Sequence, residues 1–224
     1  MFRYEGYSRR GHLQGIGKVE YSNGVTYDGS WKYSQYNGYG ELNKPAAGIR
    51  YRGWFKNGEY EGKGQLLIHD VSCYKGMFRE GFKEGHGTLF YPNGNFYEGE
   101  WSRDKKHGKG VFVNMRLGFI FKGNYFRGRK DGRGKMILAD QTVIKSYWKK
   151  DRNDGYGEIR SHIGVYRGDC LDLKAHSCGK MIYSNGDHYE GEFSENLRHG
   201  EGKLTLASGR IIAGNWHRDV RLLI

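Results

Sequence analysis

One repeated pattern constrains this chain more than any other feature. An aromatic or aliphatic residue, with glycine two places later, recurs every 22 to 24 residues along the 224-residue sequence. The ten opening positions are Tyr4, Tyr27, Tyr51, Tyr74, Tyr97, Phe121, Ile144, Tyr166, Tyr189 and Ile212. The seventh repeat has Ser146 in place of the glycine. A period of this length predicts an array of small repeated units rather than one ordinary globule.

A second landmark stays in phase with the first. A Gly-x-Gly motif begins eleven residues after the opening residue in eight of the ten repeats, as at Gly108 and Gly110 in the fifth. The eighth repeat has Ser177 and Gly179 at these places, and the tenth ends before reaching them. Two landmarks that keep one spacing over nine repeats indicate a shared structural role, namely close packing of strands.

Each repeat predicts two β-strands that share an apolar face. Tyr97, Gly99 and Trp101 lie on one side of the first strand of the fifth repeat, and glutamates alternate with them. The fifth position is aromatic in eight of ten repeats, and an apolar residue stands two places after the second glycine in nine. The predicted repeat core comprises Tyr27, Trp31, Tyr97, Gly99, Trp101, Gly108, Gly110, Trp148, Tyr189 and Trp216.

Short turn signals predict how the repeats connect. Asn23-Gly24, Asn93-Gly94 and Asn185-Gly186 separate consecutive repeats, and Asn-Gly is a strong signal for a type I′ hairpin turn. The chain has 37 glycines, 15% aromatic residues and only 2 prolines, which suits short strands joined by tight turns. We therefore predict an all-β fold. It is an elongated, single-layer antiparallel meander of about ten 23-residue β-hairpins, one array over residues 1–224 with its last repeat truncated.

The most regular repeats resemble the MORN repeat (membrane occupation and recognition nexus). Tyr97-Glu98-Gly99-Glu100-Trp101 followed by His107-Gly108-Lys109-Gly110 carries the resemblance, and Tyr189-Glu190-Gly191-Glu192-Phe193 with His199-Gly200-Glu201-Gly202 matches nearly as well. The resemblance covers essentially the whole chain and implies an elongated, twisted single sheet. Family members are mostly scaffolds of cilia, of the cortical cytoskeleton or of membrane contact sites. Some carry a kinase or methyltransferase domain, which we do not expect here.

Composition narrows the choice of partners and compartment. The formal net charge is +12, so acidic partners are expected, either anionic lipid, acidic protein segments or nucleic acid. Nucleic acid is disfavoured because no recognition helix is predicted and the aromatic residues belong to the repeat core. Three cysteines give no disulfide framework, which favours a reducing, intracellular compartment. No apolar run is long enough for a transmembrane helix, and no signal peptide is predicted.

No catalytic, metal or cofactor site is predicted. The Gly-x-Gly pairs do not extend to either phosphate-binding motif, and their regular recurrence makes them a packing device. Cys170 and Cys178 are predicted to point to opposite faces, so they do not form a zinc site with His176. Equivalent histidines of neighbouring repeats, such as His176 and His199, are about 10 Å apart, too far to share a metal ion. We predict a chain that is not an enzyme.

An apolar patch is predicted on the face opposite the repeat core. Its residues are Trp54, Leu67, Met77, Phe90, Val111, Val113 and Ile137. Contiguous exposed apolar surface usually marks an interaction site. The alternative is that the sheet curls and covers this face with its own side chains. A partner segment lying along Trp54, Met77 and Phe90 is the favoured interpretation.

Basic residues concentrate in the loops between the two strands of a repeat. They are Arg103, Lys105, Lys106, Arg127, Arg129, Lys130, Lys149, Lys150 and Arg152. In a meander such loops emerge along one edge and would form a basic ridge. Solvated charge that protects a sheet edge is one interpretation. Contact with anionic lipid or an acidic protein partner is the other.

These observations favour a non-enzymatic scaffold or adaptor in a cytoskeletal assembly, in the cytoplasm and specifically a ciliary or flagellar axoneme. A chain made of repeats alone resembles the radial-spoke-head type of MORN protein. The alternative is a peripheral membrane protein that tethers or organises a bilayer through the basic loops. Repeat arrays usually need polar caps, and neither terminus shows one. We therefore expect self-association or a neighbouring subunit at the C-terminal end, where Leu222-Leu223-Ile224 is apolar.

Overall fold

The computed structural model describes residues 1–222, and it is built almost entirely of strands. Among these residues the only other regular element is one turn of 3-10 helix, Pro45–Ala47. Internal contacts divide the chain into two compact parts, which we call the N-terminal part, residues 1–116, and the C-terminal part, from residue 117 onward. The division falls between the fifth and sixth repeats.

The N-terminal part contains five hairpins. Its strands are β1 Phe2–Arg9, β2 His12–Tyr21, β3 Thr26–Lys32, β4 Gln35–Lys44, β5 Ile49–Lys56, β6 Glu59–Ile68, β7 Ser72–Arg79, β8 Phe82–Phe90, β9 Phe96–Ser102 and β10 Lys105–Asn114. Consecutive strands from β1 to β10 pair antiparallel in sequence order.

The C-terminal part repeats the same arrangement. Its strands are β11 Phe119–Phe126, β12 Arg129–Ile137, β13 Val143–Lys149, β14 Arg152–Ser161, β15 Gly164–Leu171, β16 Lys174–Tyr183, β17 His188–Ser194, β18 Leu197–Thr205, β19 Ile211–His217 and β20 Val220–Arg221. These strands also pair in sequence order. The predicted all-β antiparallel meander is therefore confirmed. The truncated tenth repeat keeps a two-residue second strand, and Leu223 and Ile224 of the apolar tail lie outside the described residues.

The type I′ turns lie at the hairpin tips inside the repeats, and not at the Asn-Gly pairs between repeats where the sequence predicts them. At Asn23-Gly24 the positive φ falls on the glycine, and its N–H donates to the Tyr21 carbonyl at 2.9 Å. This is a type I turn with a left-handed glycine, so the type I′ prediction is wrong there. The tips inside the repeats carry two consecutive positive φ angles, as at Arg103 (45°) and Asp104 (64°). Two-residue tips need this geometry because it matches the strand twist.

Aromatic rings form a zigzag on what we call the core face. The Trp101 ring meets Tyr74 and Tyr97 edge-on, at centroid distances of 5.4 and 5.2 Å, and its Nε1 donates to the Gly87 carbonyl at 3.0 Å. Each opening tyrosine donates to a carbonyl three residues onward, as Tyr97 does to Glu100 at 2.9 Å. Because both polar groups find partners, Tyr97 and Trp101 are nearly fully buried without an uncompensated donor.

The side chain at the tenth position of a repeat explains how a single-layer sheet buries this core. The tenth residue of a repeat lies over the ring of the opening residue, as Tyr36 stacks on Tyr27 at 3.9 Å. In other repeats the cover is a cation. Lys106 Nζ lies 4.9 Å from the Tyr97 ring centroid, and Lys130 Nζ lies 5.1 Å from that of Phe121. These side chains supply the second layer, because their stems cover apolar surface while the charge meets the ring face.

The Gly-x-Gly motif serves two separate requirements. Gly108 has φ of +52°, within a register shift where strands β9 and β10 lose their regular pairing. A left-handed residue at such a bulge favours glycine. At Gly110 there is no space for a side chain, because a Cβ there would overlap the Tyr97 ring. The sequence prediction of close packing is therefore correct for the second glycine, whereas the first is required by backbone conformation.

The zigzag is interrupted in the seventh and eighth repeats. Ile144 replaces the opening ring and Cys170 replaces the fifth-position ring, although both are buried. The covering position is held by Asn153 and Ala175, which are smaller than the rings and cations elsewhere. Ser177 takes the left-handed position of the first glycine, with φ of 54°. Fewer ring contacts and a strained serine make this the weakest segment of the C-terminal part.

Candidate functional site

The face opposite the core face, here called the outer face, carries three rows of side chains. Strand registers place one row near the turns between repeats, one in the middle and one near the hairpin tips. We call these the turn-side row, the middle row and the tip-side row. They run across the strands, so neighbours in a row are on average about 4.8 Å apart.

Aromatic and apolar side chains stand in the tip-side row of the N-terminal part. Trp54 is 52% exposed and lies opposite Tyr39, with their rings 6.0 Å apart. Met77 follows, opposite Lys63. A groove of about 600 Å³ lies beside these residues and is bounded by Arg52 and Lys75 of the middle row, with glycine backbone in its floor. The groove therefore joins apolar and cationic side chains on one accessible surface.

The turn-side row of the same part carries a second apolar line. It runs Leu67, Cys73, Phe90, Phe96 and Val113 on five consecutive strands. Phe90 is 43% exposed, and its ring centroid lies 6.1 Å from that of Phe96. No side chain of a second layer covers either row in the described residues of this part.

The structure separates residues that the sequence predicted to lie in one line. Trp54 and Met77 belong to the tip-side row, whereas Phe90 belongs to the turn-side row, with charged middle-row residues between them. Val111 falls in the middle row opposite Glu98, and Ile137 lies in the C-terminal part opposite Ile120 and Val143. The prediction failed because the positions were compared by repeat and not by distance from the hairpin tip: Met77 lies near the tip of β7, whereas Phe90 lies at the far end of β8, opposite Cys73.

Sequence reasoning missed Tyr39, Cys73 and Phe96 as members of these rows. Tyr39 is the middle residue of a Gly-x-Gly motif, and the middle residue points to the outer face in each repeat where its pairing is described. That position was therefore a usable signal. Cys73 and Phe96 immediately precede an opening tyrosine, and strand alternation alone places them opposite the core.

The predicted basic loops are the type I′ tips of the hairpins. Seven of the nine cations are exposed there, namely Arg103, Lys105, Arg127, Arg129, Lys149, Lys150 and Arg152. Lys106 and Lys130 differ, because they are the covering residues of the core face. Partial burial lowers the pKa of Lys130, with the nearby Asp151 carboxylate acting in the opposite direction. The side chains of these two lysines pack on aromatic rings, so they do not belong to the basic ridge.

Acidic residues at the tips have a structural role. Asp151 accepts the backbone N–H of Lys130 at 2.9 Å and returns its own N–H to the Lys130 carbonyl at 2.9 Å. Asp104 makes the same pair of bonds with Lys83. Each such pair ties a tip to the hairpin before it. The tips therefore present a mixed-charge edge rather than a purely basic one.

Residues with reactive or metal-binding side chains are not brought together. Cys170 lies on the core face, and its burial raises the pKa of the thiol to about 11, which keeps it protonated. Cys178 points to the outer face, opposite Glu192. No group of three His, Cys, Asp or Glu residues in the described chain has the geometry to hold a metal ion. No described helix is long and apolar enough to cross a membrane.

Glu158 is the most strongly perturbed carboxylate on the outer face. Its side chain is 18% exposed, and its oxygens meet Arg160 Nε at 2.6 Å, Arg167 Nε at 3.0 Å and Lys145 Nζ at 3.5 Å. The hydrogen bond from Arg160 is the largest influence, and together with Arg167 it lowers the pKa of Glu158 to about 2. The carboxylate remains ionised through the whole neutral range.

The lowered pKa of Glu158 predicts how the stability of the protein changes at acid pH. Because the pKa of Glu158 is lower in the folded state, its ionised form stabilises the protein at pH values above the unfolded pKa of about 4.3. This stabilisation is lost as the pH falls toward about 2. We expect the urea midpoint to fall between pH 5 and pH 3 by less in Glu158→Gln than in the parent protein. Equal falls in both proteins would show that the ion pairs of Glu158 do not stabilise the fold.

Family comparison agrees with this interpretation of the repeats. The MORN repeat profile matches residues 4–26, 27–45, 51–70, 74–96, 97–113, 121–143, 174–188 and 189–209. The chain belongs to the MORN repeat family. It is a repeat protein of a protein-binding or membrane-associated class, with a scaffold fold that is typically non-catalytic. Residues 144–173 are unmatched, and they include Ile144, Ser146, Asn153 and Cys170, whereas Ala175 and Ser177 lie in a matched segment.

Several solved structures share some of this architecture. The SAS-4 TCP domain of Drosophila melanogaster, in complex with a proline-rich motif of Ana2, is 15% identical over 68% of this chain and 83% of that chain, with a TM-score of 0.43. The TCP10 domain of Danio rerio CPAP, in complex with a STIL peptide, is 14% identical over 96% and 100%, with a TM-score of 0.42. Scores this low give no functional conclusion here. No curated protein matches the chain by sequence.

Proposed function

We propose that this MORN protein is a non-catalytic adaptor that captures a protein partner on the outer face of its N-terminal part. The proposal rests on the exposed tip-side row, in which Tyr39, Trp54 and Met77 border one groove. Exposed contiguous apolar surface marks interaction sites, and aromatic side chains dominate the binding energy of such sites. The flanking Arg52 and Lys75 favour a partner segment that combines apolar and acidic residues.

A pair of matched variants tests this proposal. Trp54→Glu combined with Met77→Glu places two charges in the groove, and we expect at least about a tenfold loss of partner capture from an extract of ciliated cells. Val71→Glu is the control, because Val71 is equally exposed but lies in a turn outside both rows. Circular dichroism and the thermal midpoint establish that each variant is folded. Undiminished capture by the folded double variant would exclude this groove.

The turn-side row is tested separately. Leu67→Glu with Phe90→Glu changes the second apolar line and leaves the groove intact. A loss restricted to this variant would move the site to the turn-side row, and a loss in both would indicate a partner that spans the face.

We further propose that the assembly is cytoskeletal, and specifically a ciliary or flagellar axoneme. The support is the resemblance of a chain composed of repeats to the radial-spoke-head type of MORN protein. A fluorescently tagged chain expressed in ciliated cells should concentrate along the axoneme and remain there after detergent extraction. A diffuse signal that detergent removes would contradict this location.

The alternative is peripheral membrane attachment through the hairpin tips. Exposed cations such as Lys149, Lys150 and Arg152 favour it, whereas Asp131, Asp151 and Asp172 at neighbouring tips reduce the net charge. Co-sedimentation with anionic vesicles at two salt concentrations distinguishes the two functions. Salt-sensitive binding that survives loss of the Trp54 groove would favour the membrane role.

A further inference from the structure

The middle row of the C-terminal part contains three lysines on three adjacent strands. Lys122 on β11 lies directly opposite Lys135 on β12, and Lys135 lies directly opposite Lys145 on β13. All three side chains are exposed. Arg133, which lies opposite Tyr147 on the neighbouring strand, lines the same groove. None of these residues belongs to the basic tips or to the groove of the N-terminal part.

This arrangement differs from the same row elsewhere in the chain. In the C-terminal part, Lys180 pairs with Glu190, which in turn lies opposite Lys203. In the N-terminal part, Lys18 lies between Glu5 and Asp28. Opposite charges on facing strands stabilise a sheet, and like charges directly opposite each other destabilise it. Like charges also face each other in this row at Asp28 and Glu41 and at Arg167 and Lys180, but among the described residues only the three lysines extend one charge over three adjacent strands.

The row borders a groove of about 790 Å³ on the outer face. Tyr147 and Tyr156 stand in the tip-side row as its other wall, and both are more than half exposed. Its floor is the backbone of Gly134, Ser146 and Gly157. From Lys122 to Arg167 the groove crosses five strands, a length of roughly 19 Å at about 4.8 Å per strand.

One carboxylate, Glu158, already lies in this groove. It is the single carboxylate in the lining, against five cations. Its oxygens lie closest to Arg160 and Arg167, at 2.6 and 3.0 Å. Lys145, at 3.5 Å and more than half exposed, is its most distant partner, so Lys145 remains accessible to a further anion together with Lys122 and Lys135. The local charge is positive after Glu158 is counted.

We propose that this groove binds an acidic segment of a protein partner. Carboxylates of the segment would pair with Lys122, Lys135 and Lys145, and its apolar atoms would lie on Tyr147 and Tyr156. The strands that carry the lysines are spaced by about 4.8 Å, close to the separation of about 5–6 Å between the Cβ atoms of residues three or four apart on a helix. The exposed rings of Tyr147 and Tyr156 beside the lysines suit a polypeptide segment, which brings apolar side chains together with its carboxylates. This site is independent of the adaptor groove proposed above.

A charge-neutralised triple variant tests the assignment. Lys122→Gln, Lys135→Gln and Lys145→Gln are combined in the full chain, and a fluorescein-labelled peptide of glutamate and glycine is titrated by fluorescence anisotropy at low salt. The control combines Lys18→Gln, Lys180→Gln and Lys203→Gln, which removes the same net charge from positions that already face carboxylates. We expect about a tenfold loss of affinity in the first variant and less than about twofold in the control.

Stability is measured in parallel. Because neutralisation removes like-charge repulsion, we expect the thermal midpoint of the first variant to equal or exceed that of the parent. Equal losses of affinity in both triple variants, or unchanged affinity in a folded first variant, would overturn the proposal. So would failure of the parent to bind the peptide, including a result in which phosphatidylserine vesicles bind through these lysines and the peptide does not.

Discussion

Replacing Trp101 with alanine is expected to lower the free energy of unfolding by about 3–5 kcal/mol, the usual cost of removing a large buried ring. Trp101 is 4% exposed and contacts the rings of Tyr74 and Tyr97. Its loss would also leave the Gly87 carbonyl without its Nε1 donor and remove a ring that lies under Lys83. Urea denaturation of the parent and the variant measures the difference.

Lys105→Ala is the matched control for Trp101→Ala. Lys105 lies four residues away at the exposed hairpin tip, so its change should cost less than about 0.5 kcal/mol. Similar midpoints for the two variants would mean that the aromatic zigzag does not stabilise the sheet.

Replacing Gly110 with alanine should be nearly as damaging, at about 3 kcal/mol, because overpacking forces rings and backbone apart. The added methyl group would meet the Tyr97 ring and could be accommodated only by moving it off the glycine pair formed with Gly99. That movement would also break the Tyr97 hydrogen bond to the Glu100 carbonyl. The free energy of unfolding from urea titration is the measurement.

Gly128→Ala separates crowding from backbone strain. Gly128 has φ of +91°, and a methyl group added at that position would have no other atom within 4 Å among the described residues. Only the left-handed conformation is penalised there, at about 1 kcal/mol. If Gly110→Ala cost no more than Gly128→Ala, the tight contact between ring and glycine would not be a source of stability.

Much of this architecture follows directly from spacing in the sequence. The opening tyrosines and the fifth-position rings predict the core face because alternation assigns them to one side of a strand. Glycine at Gly110 was also predictable, since a large ring across the strand leaves no room for a side chain. These features depend on residues close together in one repeat, so local rules are sufficient for them.

Features that depend on side-chain conformation or on strand pairing were not predictable in the same way. Lys106 and Lys130 have the spacing of solvent-exposed loop cations, yet they cover rings of the core face, because their long side chains fold back over the strand. Phe90 was assigned to the row of Trp54 although it lies at the turn end of its strand and Trp54 lies near a hairpin tip. The three-lysine row emerges only when strand pairs are known.

The sequential pairing of strands also bears on how the chain folds. Most β proteins fold slowly, because strands distant in sequence must meet and long loops must close. Within each part of this chain, every strand pairs with its immediate sequence neighbours across short turns. A hairpin forms in roughly 1–10 μs, and each completed hairpin offers the next strand an edge on which to add. We expect the hairpins to form in the order in which the ribosome releases them.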